Sequence, residues 1–253
     1  MKICAFVKRV PMVGGTIAVT ADGLEVDTTM AGFTVSPHEE CAVEEAVRIT
    51  ERLGGSVTVL TLGPPEAADQ LRDMLALGAS QAVLLQTDGT EWGPIATATA
   101  IAEAVAEGEY DLLLFGNEAA DTGGYQVPVR VAHLLGLPCV TGIKRLDVDQ
   151  EDGRISASRE RGSGAETFEV PLPAVVSVKE GINLPRYPSL PGRLRAKRAK
   201  IETVELPAPQ ADTLRKVALR VPAGAAGQSE MLGTGVAAVP ALVRLLDELG
   251  VLR

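Results

Sequence analysis

The chain has 253 residues, of which 46% are hydrophobic and 23% charged, and its formal net charge is −9. That is enough apolar material to fill one large α/β core with an appendage. The acidic balance excludes general nucleic-acid binding, because phosphate is repelled except where a local basic patch prevails. No apolar run reaches the roughly eighteen residues of a membrane span, and the chain opens on an expected strand without a cleavable leader, so a cytoplasmic protein with no direct membrane insertion is expected. Cys4, Cys41 and Cys139 are far apart and form no C-x-x-C pair, which predicts small buried hydrophobes and no metal site. With His38 and His133 as the whole histidine complement, no catalytic residue is assigned. His133, among Val129, Val131 and Leu135, is expected to pack inside a helix.

In chain order, the first expected strand is Ile3 to Val7, followed by a short hairpin of Thr16–Val19 and Leu24–Val26 around a Gly23 turn. A helix then starts at Ser36. Ser36 is placed to accept from the first free amides, Pro37 suits the first helical position, Glu39 completes a capping box and Gly54-Gly55 ends the segment. Ala42, Ala46, Ile49 and Leu53 share one face of it. Strands at Val57 to Leu62, Ala82 to Leu85 and Leu112 to Phe115 alternate with helix-length amphipathic segments, the pattern of a parallel sheet covered on both sides.

A β-rich insert runs from Ile143 to Val170, with turns at Gln150–Gly153 and Gly162-Ser163-Gly164, and is expected to make the sheet mixed. Pro173 to Val178 is a further buried strand. After it, Pro185, Pro188 and Pro191 make Asn183 to Gly192 a stiff, exposed excursion with Leu190 at its tip, so Leu190 is a candidate contact residue. From Leu206 the chain is rich in Pro, Gly and Ala until Pro240 opens a short helix with Leu242, Leu245, Leu246 and Leu249 on one face and Gly250 as its stop. That stripe needs cover, either from its own domain or from a partner. The expected fold is therefore α/β: an open, mostly parallel Rossmann-like sheet with helices on both faces, a β-rich insert and an extended C-terminal arm. The division falls into residues 1–205, including a loop of about 183–200, and residues 206–253.

Leu112 to Gly116 leads into Asn117-Glu118-Ala119-Ala120-Asp121-Thr122-Gly123-Gly124-Tyr125-Gln126, then Val127 and a helix carrying Pro128. A strand, a glycine-bearing loop and a helix start bring free amides together around an anion. Gly123 and Gly124 allow close backbone approach, and Thr122 and Gln126 add side-chain donors. Asp121 would repel a phosphate, so it is expected to cap amides of its own loop. Downstream, Arg186, Arg193, Arg195, Lys197, Arg198 and Lys200 form a basic segment without an acid, open to solvent or to a partner.

The stretches KICAFVKRV, Ser36-Pro37, ECAVEEA, GNEAADTGGYQVP and PLPAVVSVKEGINLPRYPSLPGRLRAKRAK resemble the beta subunit of electron transfer flavoproteins, across roughly the first four fifths of the chain. The resemblance implies a heterodimer with an alpha subunit that carries most of the redox FAD, consistent with only 3% aromatic residues here. It implies AMP on this subunit, or a second FAD in its place in electron-bifurcating members. The implied adenine and ribose contacts are Phe6, Ser36, Pro37, His38, Glu39 and Leu62, with Phe6 and Leu62 sandwiching the base. Gly116, Asp121, Thr122, Gly123, Gly124, Tyr125, Gln126 and Val127 form the phosphate loop. Gln126-Val127-Pro128 stands where AMP-binding relatives have Gln-Thr-Gly, and Gly162-Ser163-Gly164 where an acidic-glycine pair is usual, ahead of the expected Glu166. Leu190 is implied as the anchor that enters flavin-dependent dehydrogenases, with Arg193, Arg195 and Lys197 around it, Glu160 pairing with an alpha-subunit Arg, and a membrane quinone reductase as acceptor. A reading of another class is a stand-alone adenine-nucleotide hydrolase or stress-type binding module.

Overall fold

The computed structural model describes residues 1–12, 17–209, 216–221 and 231–252. Its elements begin with β1 (Lys2–Phe6), β2 (Arg9–Pro11), β3 (Phe33–Val35), α1 (Pro37–Leu53), β4 (Ser56–Gly63), α2 (Ala68–Leu77), β5 (Gln81–Gln86), α3 (Pro94–Val105), β6 (Leu112–Gly116) and α4 (Val127–Leu135). They continue with β7 (Cys139–Ile143), β8 (Arg145–Asp149), β9 (Arg154–Arg161), β10 (Gly164–Pro171), β11 (Ala174–Val178), α5 (Leu190–Arg198), β12 (Glu202–Glu205) and α6 (Val239–Glu248).

A seven-stranded sheet in the order β12-β5-β4-β1-β6-β11-β7 carries the fold, and every neighbouring pair in it is parallel. Strands covered on both faces read as continuous apolar runs, and this is why the central ones stood out in the sequence. Ile3 and Ala5 pack with residues of α1 and α2, whereas Cys4 and Phe6 pack with residues of α3 and α4. Each fully buried Ile or Leu contributes about 1.5–3 kcal/mol, so Ile3, Leu112 and Leu114 make the middle of the sheet its firmest part.

The expectation of a mixed sheet is corrected. The antiparallel strands are segregated into a three-stranded sheet, β10-β9-β8, and a two-stranded pair, β2-β3. The expected hairpin near Gly23 is reduced to a single bridge between Val19 and Val26, with Thr16 outside the described residues. The more extensive pairing, β2 with β3, brackets that excursion instead. Four strands were not foreseen: β2 and β3, then β7, which contains Gly142 and meets β11 through a register shift, and β12, whose four residues are all exposed. His133 is exposed on α4, which turns Val131 and Ala132 to the sheet, so its expected packing inside the helix is also corrected. Cys4 and Cys41 are buried as anticipated and Cys139 is half-buried.

The terminal helix α6 forms over the expected leucines, and Gly250 follows it in the left-handed region (φ 71°). None of its residues is buried, and Leu242, Leu245 and Leu249 are exposed. Its apolar stripe is thus not covered by the described part of its own chain. No helix among the described residues is long and apolar enough to cross a membrane.

Candidate nucleotide crevice and docking loop

From β1 the sheet builds outward through β4 and β5 on one side and through β6, β11 and β7 on the other. The connections diverge between β1 and β6, and the carboxyl ends of strands at such a point are where open α/β sheets receive ligands, which makes this the candidate crevice. The expected site residues Phe6, Ser36, Pro37, His38, Glu39, Gly116 and Asp121 come from the segments that converge there. Leu62 lies at the end of the adjacent β4.

The floor is aromatic. Phe6 and Phe115 are register partners, and their rings stack with centroids 4.0 Å apart and planes 7° from parallel. One face of Phe6 is therefore taken by Phe115, a partner that strand-end reasoning missed, while Leu62 is half-buried against the same cluster.

The start of α1 departs from its sequence pattern in an instructive way. The Ser36 half of the expected capping box does not close: Ser36 makes no side-chain cap, and the amides of Glu39 and Glu40 donate to the Ser36 carbonyl, while the Glu39 half persists as an interaction of its carboxylate with the Ser36 backbone. The Ser36 hydroxyl instead accepts from the Ala120 amide at 2.8 Å, and the Glu39 carboxylate accepts from the Lys8 amide at 2.8 Å. One helix start thus holds both the loop after β6 and the turn after β1. Burial pushes the Glu39 carboxyl up to about 8, with Asp121 adding to the rise and Lys8 opposing it. Gly116 makes this approach possible, since a Cβ there would lie 2.5 Å from Glu39 Cγ and 2.8 Å from the Glu39 amide nitrogen.

Asp121 does not cap its own loop as expected. Its carboxylate accepts from Lys8 Nζ at 2.6 Å, which neutralises it beside the crevice and adds Lys8 to the site. His38 Nε2 lies 3.6 Å from Glu118 Oε1, and its Nδ1 is buried without a hydrogen-bond partner.

The loop is fixed at its root and open at its crest. The Asn117 amide donates to the Val178 carbonyl at 2.8 Å and its Oδ1 accepts from the Ser177 hydroxyl at 3.1 Å. Thr122, Gly123, Gly124 and Tyr125 are exposed, and a Cβ on Gly123 or Gly124 would meet no atom within 4 Å. Tyr125 is a non-glycine residue at φ 55°, a conformation that costs on the order of 1–3 kcal/mol and recurs at ligand-binding turns. Gln126 caps α4 at φ −99°, and its Oε1 accepts from Arg130 Nε and Nη2 at 3.2 and 2.9 Å. Val127 opens α4 with a free amide, whereas Pro128 removes the next donor. The Gly123 amide donates to the Ala119 carbonyl at 2.9 Å, so the main-chain donors that can recognise an anion here are those of Gly124 and Val127 beside the helix start.

Beyond β11, residues up to Ser189 are non-helical, as the prolines require, but helix α5 begins at Leu190 rather than after Gly192. Ser189 caps it, accepting from the Gly192 amide at 3.1 Å. Gly192 is seated so closely that a Cβ would lie 2.8 Å from the Ala76 carbonyl oxygen. Leu190 is 71% exposed and Tyr187 is 94% exposed. Arg193, Arg195 and Lys197 are exposed, whereas Arg186 turns away and pairs with Glu44 and Glu51. Glu160 is exposed on β9, and Glu166 on β10 is bound by Arg159 and Arg161 at 2.8 and 2.7 Å.

Fold and crevice define a doubly wound α/β protein whose loops converge at the switch point. Residues 23–209 match the family described as electron transfer flavoprotein domain. The electron transfer flavoprotein subunit beta of Bacillus subtilis is 38% identical over 178 residues, covering 70% of this chain and 68% of that protein. Its counterparts in Mycobacterium tuberculosis and Mycobacterium leprae are 37% and 38% identical over 211 residues, covering 81% of this chain and 79% of theirs. The chain belongs to the electron transfer flavoprotein family.

Proposed function

We propose that this chain is the beta subunit of a heterodimeric electron transfer flavoprotein, working in the cytoplasm. It holds AMP at the crevice between β1 and β6, supports an alpha subunit that carries FAD, and docks flavin-dependent dehydrogenases through Leu190. The observation that carries the reading is that one helix start holds both crevice loops, Ser36 the loop after β6 and Glu39 the turn after β1, beside a glycine crest with open space around Gly124. The residues fit an adenine nucleotide. The amides of Gly124 and Val127 would receive the phosphate, and the unpartnered Nδ1 of His38 would be satisfied by a ribose or base atom. FAD, when bound by the pair, supplies the electron chemistry, and this chain supplies orientation and a surface. The bare leucine stripe of α6 is offered to the alpha subunit, Glu160 pairs with an Arg of that subunit, and a membrane quinone reductase takes the electrons onward.

Denaturing the purified heterodimer and separating the released nucleotides tests the assignment: one AMP and one FAD per pair are expected. Two FAD without AMP would assign the crevice to the second flavin. A stable solitary chain that hydrolyses ATP would overturn the subunit reading altogether. A Cβ on Gly124 would meet no protein atom within 4 Å, so Gly124→Val acts mainly on the ligand: AMP retention should drop about tenfold or more, with the melting temperature of the nucleotide-free protein unchanged. Wild-type retention in that variant would move the phosphate elsewhere.

A further inference from the structure

Arg186 reads in the sequence as one more charge of a basic surface segment, but the structure turns it inward. Its Nε donates to Glu44 Oε2 at 2.9 Å, its Nη2 to Glu44 Oε1 at 3.2 Å and its own amide to Glu44 Oε2 at 3.2 Å. The same guanidinium reaches Glu51 through Nη1 at 2.6 Å and Nη2 at 2.9 Å. The Glu44 side chain is 2% exposed and also accepts from Arg48 Nε at 2.7 Å. One residue group earlier, Asn183 Nδ2 donates to the Cys41 carbonyl and to Glu45 Oε2, both at 2.9 Å, and Arg48 Nη2 donates to the Leu184 carbonyl at 3.3 Å. Cys41, Glu44, Glu45, Arg48 and Glu51 follow helical spacing, so one stripe of α1 grips residues 183–186.

Residues 183–189 belong to no helix or strand, and this grip holds their near end while α5, seated on α2 through Gly192, holds the far end, with exposed Tyr187 and Leu190 between the two anchor points. A buried carboxylate is costly unless fully partnered, so Glu44 needs Arg186 in place and no solvated alternative suffices. The planar fork of an Arg fixes direction as well as distance, which an ammonium does not. The same helix holds the crevice loops at its other end, through Ser36 and Glu39.

We infer that Arg186 is a positioning residue for partner docking: clamped by Glu44 and Glu51, it sets where Leu190 stands relative to α1 and hence to the crevice. The inference rests on the reading of Leu190 as the docking anchor. It is tested on the intact heterodimer carrying Arg186→Gln, Arg186→Lys or Leu190→Ala, with a flavin-dependent dehydrogenase that reduces the wild-type pair as electron donor. Both Arg186 variants should raise the KM for the heterodimer about tenfold at unchanged kcat and speed amide exchange across 184–190, with flavin spectrum and nucleotide content intact. Wild-type KM in Arg186→Lys would mean that charge alone matters and would overturn the positioning role, as would fast exchange with an unchanged KM in Arg186→Gln. If Leu190→Ala leaves the KM unchanged, the docking reading itself fails and the inference with it. Should both Arg186 variants fail to assemble, Glu51→Gln removes the outer half of the clamp without stranding a buried charge. A KM raised by about threefold is then expected, and a wild-type KM overturns the inference.

Discussion

Gly116→Ala is expected to empty the crevice and to lower stability by about 1–3 kcal/mol, the usual cost of forcing extra volume into a packed site. The added methyl would meet Glu39 Cγ at 2.5 Å, the Glu39 nitrogen at 2.8 Å and the His38 carbonyl carbon at 3.1 Å. Two of these three atoms belong to the backbone of the helix start, so a rotamer change cannot relieve the contact. The start of α1 must move, and with it the Ser36 bond to Ala120 and the Glu39 bond to Lys8. For a domain of this size the loss corresponds to a fall in melting temperature of roughly 2–4 °C per kcal/mol. Nucleotide content after gel filtration and a thermal melt check both parts. A variant that melts and retains AMP like the wild type would show that the two crevice loops do not depend on this approach.

Glu39→Gln should change how stability varies with pH. Burial holds the folded-state carboxyl near 8 against an ordinary value of 4.5, so the native state binds a proton that the unfolded chain has released between those limits. Stability from this group is present in full below about 4.5 and is lost as pH rises through about 8. The groups facing it are the Lys8 amide and ammonium and the Ser36 backbone, which favour the charged form, and Asp121, which opposes it. Glutamine keeps an oxygen for the Lys8 amide and never ionises. The two proteins should therefore melt alike at about pH 5, with the variant the more stable at about pH 8.5, by on the order of 4 kcal/mol at about 1.4 kcal/mol per pKa unit. Parallel stability curves across that range would mean that Glu39 is ionised throughout.

The doubly covered strands β1, β4, β5, β6 and β11 were legible because burial on both faces leaves mostly apolar runs, interrupted by small buried residues such as Thr58, Thr61 and Ser177. β12 was not, because an edge strand reading Glu-Thr-Val-Glu has no apolar signature and forms only where β5 offers it a partner. β7 was hidden by Gly142. In the crevice, residue types located the loop after β6, but they could not say where polar side chains would spend their hydrogen bonds. Ser36 and Glu39 spell a capping box, but the Ser36 hydroxyl goes to a contact eighty-four positions away and Glu39 adds one thirty-one positions away to its local one. Lys8, Phe115 and Arg186 were missed for the same reason: their roles come from partners distant in the chain. Glu44 gave no signal either: at about 100° per residue it lies opposite the Ala42, Ala46, Ile49 and Leu53 stripe, and its burial under Arg186 comes from the packing of residues 183–186 on α1.

The outermost strand of the main sheet has a bearing on biosynthesis. β12 joins β5 through residues 202–205, more than a hundred positions after the strand it completes. While the ribosome is still producing the intervening segments, the far side of β5 presents bare amides and carbonyls to the cell. Arrival of Glu202 and Glu205 seals that border and places two negative charges on it, so the step that finishes the domain also guards it against pairing with a neighbouring nascent chain.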